Sequence, residues 1–235
     1  MKRSEINTIM SDALAFLRES KFLIPPFATW SSTDWKAKGP EALEIVTSQL
    51  GWDITDFGSG DFARIGLFIF TIRNGTFAEL RKVQGKTYAE KILIVREGQI
   101  TPTHFHYQKM EDIINRGGGN LVIQLWNSHT DKSLADSPVT VSMDGVRVTV
   151  PAGGTVTLRP GDSVCLPQHL FHKFWGEPGG GTVLVGEVSR VNDDRVDNYF
   201  HEPVGRFPVV EEDVPPLHLL TMDYPVHCPH LCPSF

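Results

Sequence analysis

Between residues 65 and 189 the chain is a succession of short runs rich in Val, Ile, Thr and aromatic residues, each bounded by turn-forming residues. No stretch of helical periodicity separates them. With no helix-length pattern between the strands, a βαβ fold is not expected. The runs predict strands at 65–72, 89–95, 120–126, 139–143, 146–150, 155–158, 163–166 and 182–189. Asp144-Gly145 sits between two alternating runs and is a strong hairpin signal. Gly153-Gly154 and Pro160-Gly161 mark two further turns. The expectation is a mainly β protein, built as a sandwich or a closed barrel.

The flanks differ from this middle. Ile6, Ile9, Met10, Ala13, Phe16 and Leu17 recur at the 3,4 spacing of an amphipathic helix over 4–19, with Ser4 as its expected N-cap. Pro25-Pro26 interrupts, and a second helix is expected from Pro40 through Leu43, Val46 and Leu50, stopped by Gly51. The last forty or so residues are rich in proline and acid and suggest an extended arm. One domain is therefore expected, with a helical extension (1–52), a β-barrel (53–190) and a C-terminal arm (191–235).

Composition narrows the partners and the compartment. There are 22 Lys and Arg against 28 Asp and Glu, a net charge of −6. A chain that grips phosphate backbones is usually basic, so nucleic acid is not an expected partner. No run of about 18 apolar residues is present to cross a bilayer. Met1-Lys2-Arg3 is basic, but Glu5 and Asp12 follow before any apolar run, which argues against a signal peptide. Cys165, Cys228 and Cys232 are too few and odd in number for a disulfide framework. A cytoplasmic protein with free thiols is expected. Ligand-type residues are dense in His227-Cys228-Pro229-His230-Leu231-Cys232, but with no second cluster to match them a disordered or packing tail is expected.

Two stretches carry chemistry. In Thr101-Pro-Thr-His104-Phe-His106, residues two apart on a strand point the same way, so two imidazoles face one point. Glu111 follows five residues later and can add a carboxylate oxygen. Imidazole plus carboxylate suits Mn, Fe, Co, Ni or Zn; an H-x-H on a strand also fits a solvated or core pair. The second stretch, Pro160-Gly161-Asp-Ser-Val-Cys-Leu-Pro167-Gln-His169-Leu-Phe-His172, offers His172 as a fourth ligand.

These stretches resemble the two cupin motifs. Gly98, His104, His106, Glu111 and Gly118 match every fixed position of the first. Gly161, Pro167 and His172 match the second, where His169 stands in place of a glycine and Gly176 in place of an asparagine. The resemblance implies a jelly-roll-like β-barrel with one metal held by His104, His106, Glu111 and His172, and the N-terminal helices packed outside. Longer segments narrow it. Met1-Lys-Arg-Ser-Glu-Ile-Asn, Lys109-Met-Glu-Asp-Ile-Ile-Asn-Arg-Gly-Gly-Gly, Gly186-Glu-Val-Ser, Val191-Asn-Asp-Asp and Gly205-Arg-Phe-Pro look like the D-lyxose isomerase family of cupins. That resemblance implies a manganese-dependent isomerase converting D-lyxose and D-xylulose, often with D-mannose and D-fructose, and a homodimer.

One route for aldose–ketose isomerisation, through an enediol, needs a base at C–H and a Lewis acid for the developing oxyanion; a metal-assisted hydride shift is the alternative. Glu187 is the candidate base, because it shares a strand face with Val183 and Val185, against the alternative of an outward Glu on a solvated face, since Leu184 and Val188 make the other face apolar too. Lys109 is a second candidate catalytic residue, against the alternative of an exposed loop lysine. Asp194, Glu202 and Arg206, just past the last expected barrel strand, are candidates for sugar hydroxyls. His169 is a further substrate-side candidate, against a packing role. Rival readings on the same barrel are a metal-dependent dioxygenase-like oxidoreductase, a non-catalytic sugar-binding module, and a phosphosugar isomerase, which would want a basic cluster.

Overall fold

The computed structural model describes residues 1–232. Its elements run α1 (Arg3–Glu19), α2 (Ser32–Lys36), α3 (Leu43–Thr47), β1 (Gly51–Thr55), β2 (Leu67–Arg73), α4 (Phe77–Arg81), β3 (Tyr88–Val95), β4 (His104–His106), β5 (Glu111–Gly118), β6 (Leu121–Trp126), β7 (Val139–Met143), β8 (Val146–Val150), β9 (Thr155–Leu158), β10 (Ser163–Leu166), β11 (Phe171–Gly176), β12 (Val183–Arg190), β13 (Asn198–Phe200) and α5 (Tyr224–His227). Two antiparallel sheets form. One has eight strands in the order β1-β2-β3-β12-β5-β10-β7-β8, the other five in the order β13-β4-β11-β6-β9. This is the mainly β cupin architecture.

Period-two alternation sorts the strand residues between two cores. Leu67, Ile69, Leu93, Val95, Val183 and Val185 point between the sheets, where they meet Leu121, Ile123, Leu158 and Phe174. Their neighbours Phe68, Phe70, Ile92, Ile94 and Leu184 point outward, against Ile6, Ile9, Met10, Ala13 and Leu17 of α1. The strands β2 and β3 are therefore apolar on both faces, and the helix covers what would be an exposed sheet surface. Trp52 closes this layer edge-on to Phe68 and Phe70, with its indole N–H donated to the Ala28 carbonyl at 2.7 Å.

Several boundaries differ from the sequence expectation. The first helix begins at Arg3, and Ser4 is not its cap. The Ser4 hydroxyl instead donates to Asp213 of the C-terminal arm. Gly51 opens a strand rather than closing a helix, and its φ of +122° is one an L side chain rarely adopts. The C-terminal arm is not simply extended. Short helical turns bring Leu219, Tyr224, Cys228 and Leu231 onto Trp35, Ala42 and Val46, making a third small core. Cys228 and Leu231 thus pack, while the last three residues of the tail lie outside the described ones. Strands β1, β5, β11 and β13 are absent from the expected set. Their inward positions carry Glu111, Asn115 and His172, so apolar alternation is broken where the site is built. No helix among the described residues is long and apolar enough to cross a membrane.

Arg3 ties the two ends of the chain together. Its fully buried guanidinium donates to Asp223 at 2.9 and 3.0 Å and to Glu212 at 2.6 and 2.9 Å. Removing one partner of a buried pair strands the other charge, a loss of about 3–5 kcal/mol. Arg3→Ala should lower unfolding free energy by that order, read from the urea midpoint, because Asp223 is left buried and unpaired.

Candidate active site

β4 and β11 lie side by side with His104 opposite His172. The intervening Phe105 points the other way, against Phe171 and Tyr199. Strand alternation therefore turns His104, His106 and His172 to one side, and their candidate ligand nitrogens all fall within 4.8 Å of one another. Glu111 opens β5 in the facing sheet. Its Oε1 lies 3.4 Å from His106 Nε2 and 3.3 Å from His172 Nε2. All four side chains are buried.

The ring orientations are set from behind. His104 Nδ1 is 2.8 Å from the Pro102 carbonyl and His172 Nδ1 is 2.9 Å from the Leu170 carbonyl. A carbonyl only accepts, so each Nδ1 carries the proton and, in the neutral ring, each Nε2 keeps its lone pair. Burial, then the neighbouring His172 and His106 rings, holds the His104 pKa well below its ordinary value. Burial and Lys109 lower that of His106. Neutral imidazoles are the form that ligates a metal. Glu111 is held well below the usual carboxylate range: burial opposes its charge, but Lys109 and His106 outweigh it. Three inward imidazoles and one ionised carboxylate oxygen, all buried, are a donor set that fits a divalent first-row cation.

Lys109 is not a solvated loop lysine. Its ammonium is buried between Glu111 Oε2 at 2.6 Å and Glu187 Oε1 at 3.0 Å. Asp197 fixes the loop that carries it, accepting the backbone N–H groups of Gln108 and Lys109 at 2.8 and 3.1 Å. Burial opposes the Lys109 charge, yet Glu111, Glu187 and Asp194 together raise its pKa above the ordinary lysine value. Glu187 is buried on the inward face of β12, level with Lys91 of β3 and Ile113 of β5. Asp194 accepts from Lys91 at 3.2 Å and from Arg206 at 3.3 Å, and Arg206 also pairs with Asp53 of β1. Burial disfavours the Asp194 carboxylate, but Lys91 and Arg206 keep it far below its ordinary pKa.

The structure thus gathers eight of the ten sequence candidates around one cavity of about 420 Å³, counted with its open mouth. It does not bring in Glu202 or His169. Strand β13 is only three residues long, so the chain has left the barrel mouth by Glu202, whose side chain is 81% exposed. His169 sits on an exposed loop with φ of +60°, its N–H donated to the His106 carbonyl and its ring against Phe105. It braces β4 from outside. Glu202→Ala should change kcat/KM by less than about threefold, as exposed substitutions away from a site do; a steady-state assay checks this.

Lys91, Asp53, Asn198, Phe57 and Phe200 were not singled out in the sequence. The first three lie in or beside the charged wall, and the two aromatic rings lie against each other at the mouth. For Lys91 the signal was present: it shares the inward register of Leu93 and Val95. A lysine at a position where the strand is otherwise apolar needs a buried partner.

The family model for D-lyxose isomerase matches residues 1–224. The chain belongs to the D-lyxose isomerase family. It is 48% identical over 225 residues to a D-lyxose/D-mannose isomerase of Escherichia coli O157:H7, covering 95% of this chain and 98% of that one. A protein of the same name from Serratia proteamaculans is 49% identical over the same length and with the same coverage. Membership of the D-lyxose isomerase family makes the chain a sugar isomerase. Among solved structures, the L-ribose isomerase of Cellulomonas parahominis superposes with a TM-score of 0.60 at 19% identity, over 90% of this chain and 98% of that one. That of Acinetobacter sp. DL28 gives 0.60 at 16% identity with the same coverage. At such identities the likeness is one of fold.

Proposed function

We propose that the protein interconverts D-lyxose with D-xylulose, and D-mannose with D-fructose, by moving a proton between C2 and C1 of the open-chain sugar. The observation that carries this reading is a buried carboxylate, Glu187, beside a three-histidine and glutamate cluster in one cavity. It is joined by the 48% identity to a D-lyxose/D-mannose isomerase.

His104, His106, Glu111 and His172 would hold one divalent ion, with manganese first in expectation and cobalt, iron, nickel or zinc also suited to the donors. When bound, such an ion supplies Lewis acidity toward the sugar's C1 and C2 oxygens. The remaining work falls to side chains. Glu187 takes the proton from C2, and the C–H electron pair forms the C1–C2 double bond of an enediol. The O2 hydroxyl proton ends on O1. The Glu187 carboxyl, exchanging with solvent through the open cavity, then gives a proton to C1, leaving a ketone at C2. Asp194 and Arg206, fixed by their mutual pairing and by Asp53, accept and donate to sugar hydroxyls.

The cavity favours an unphosphorylated sugar. Each of its cationic groups is already paired: Lys91 with Glu187 and Asp194, Lys109 with Glu111 and Glu187, Arg206 with Asp53 and Asp194. A phosphate would have to displace a carboxylate. The three cysteines are free and the net charge is −6, which fits a cytoplasmic enzyme. A homodimer is expected from the family. Light scattering at micromolar concentrations checks this, and a mass of 26.2 kDa, that of one chain, would refute it.

The test of the reading is a panel of aldoses, free and phosphorylated, assayed for ketose formation with metal-replete and chelated enzyme. D-lyxose and D-mannose should give ketose only with metal present. Conversion of a phosphorylated aldose in preference to both, or of none, would overturn it.

A further inference from the structure

A row of alternating charges crosses the barrel interior: Asp53, Arg206, Asp194, Lys91, Glu187, Lys109 and Glu111, each paired with the next. Lys91 is the middle member. It is 2% exposed, and it faces Glu187 directly across the β3–β12 ladder. Its Nζ lies 3.6 Å from Glu187 Oε1 and 3.2 Å from Asp194 Oδ2. Lys109 approaches the same Glu187 oxygen, Oε1, at 3.0 Å.

Both ammonium groups therefore act on one oxygen. Glu187 Oε2 is the nearer oxygen in neither ion pair and accepts no hydrogen bond from either lysine. It is also not among the buried side-chain atoms without a partner, which among the described residues belong to His106, Asn192 and Asn198. A carboxylate held through one oxygen by cations from two directions cannot rotate freely, and its second oxygen is left to accept a proton.

We infer that Lys91 is a positioning residue for the isomerisation proposed above: with Lys109 it clamps Oε1 of Glu187 so that Oε2 faces the sugar carbon. Lys91 acts through Glu187 and need not touch substrate. Its removal is not a simple loss of folding support. Asp194 keeps Arg206, and it keeps Asn192, which donates at 2.8 Å; Glu187 keeps Lys109. Methionine preserves the apolar stem that lies along the barrel wall while deleting the charge.

The inference rests on the isomerase reading, and the experiment separates the two. Wild-type holoenzyme is assayed first on D-lyxose, and absence of ketose there would fail the reading itself. Lys91→Met, Glu187→Gln and the double variant are then compared, with metal content measured on each preparation. Misplacing a reacting group by about 1 Å can cost about 10²-fold, so Lys91→Met should lower kcat by about 10–100-fold. KM and metal content should stay within about threefold of wild type, the split expected when an interaction acts on the chemical step alone. In the Glu187→Gln background the same substitution should cost almost nothing, because the group that Lys91 positions is already disabled.

A Lys91→Met enzyme within about threefold of wild-type kcat would overturn the inference. So would a multiplicative loss in the double variant. If the single variant fails to fold, the double variant decides alone, because it strands no charge: a further tenfold loss of kcat relative to Glu187→Gln would show that Lys91 acts independently of that carboxylate.

Discussion

Glu187→Gln should lower kcat on D-lyxose by about 10²–10⁴, the usual contribution of a positioned general base. Metal content and sugar affinity should stay near wild type. The amide has nearly the shape of the carboxylate and still offers an oxygen to Lys109 and Lys91, so the local packing is kept. What it loses is the ability to take a proton. Glu187 is suited to the task by where β12 puts it: in line with Val183 and Val185 on the inward face, and beside the histidine cluster rather than in it. A purely structural Glu187 predicts another pattern, in which the variant loses thermal stability and metal along with activity, or loses nothing. Steady-state kinetics with metal analysis and a melting curve on the same preparation separate these outcomes. A variant within about threefold of wild-type kcat would end the assignment and shift attention to Lys109.

The second large effect concerns the cluster itself. Loss of a group that merely orients a ligand commonly costs 10–100-fold in metal affinity, so replacing a ligand should cost at least that. His104→Ala, His106→Ala, Glu111→Ala and His172→Ala should each abolish stoichiometric binding of Mn²⁺, measured by titration calorimetry and elemental analysis, and reduce turnover in step. Glu111→Ala carries a further expectation. Lys109 would lose its 2.6 Å partner and keep Glu187 alone, so the damage should extend beyond the metal to the base. A His172→Ala protein with full metal content and activity would remove that residue from the set.

The fold and half of the site could be seen in the chain because both depend on period-two alternation. Val183, Val185 and Glu187 predict one face of a strand, and His104 and His106 another, whatever the sheet around them. The hairpin at Asp144-Gly145 joins β7 to β8 as its turn residues demand. Legibility failed where function interrupts the pattern. In β5 the inward positions hold Glu111, Ile113 and Asn115, so a polar, site-lining strand does not look like one. β13 is too short to have a period. The C-terminal arm was expected to be extended because its prolines and acids dominate the composition, yet a few apolar residues, Leu219, Tyr224 and Leu231, are enough to fold it onto α2 and α3.

The candidates near the mouth show the same limit. Asp194, Glu202 and Arg206 are equivalent by position in the sequence, since all follow the last long strand. Distinguishing them required the tertiary path: Arg206 turns back to reach Asp53, which is 153 residues away in sequence, whereas Glu202 faces solvent. Lys91 illustrates the reverse. Its inward register was legible, but its significance depends on Glu187 lying opposite on a strand almost a hundred residues later, and no local pattern specifies that pairing.

The central claim is that hydrogen moves between the two sugar carbons as a proton carried by Glu187. Turnover of D-lyxose by the metal-replete wild-type enzyme in D2O, followed over many turnovers by mass spectrometry and NMR of the D-xylulose formed, tests this most directly. The account predicts metal-dependent ketose carrying solvent deuterium at C1, with both product formation and labelling falling together in Glu187→Gln. Efficient formation of D-xylulose without any deuterium would contradict it, because a proton resting on a carboxyl that exchanges with solvent would be replaced in at least part of the turnovers.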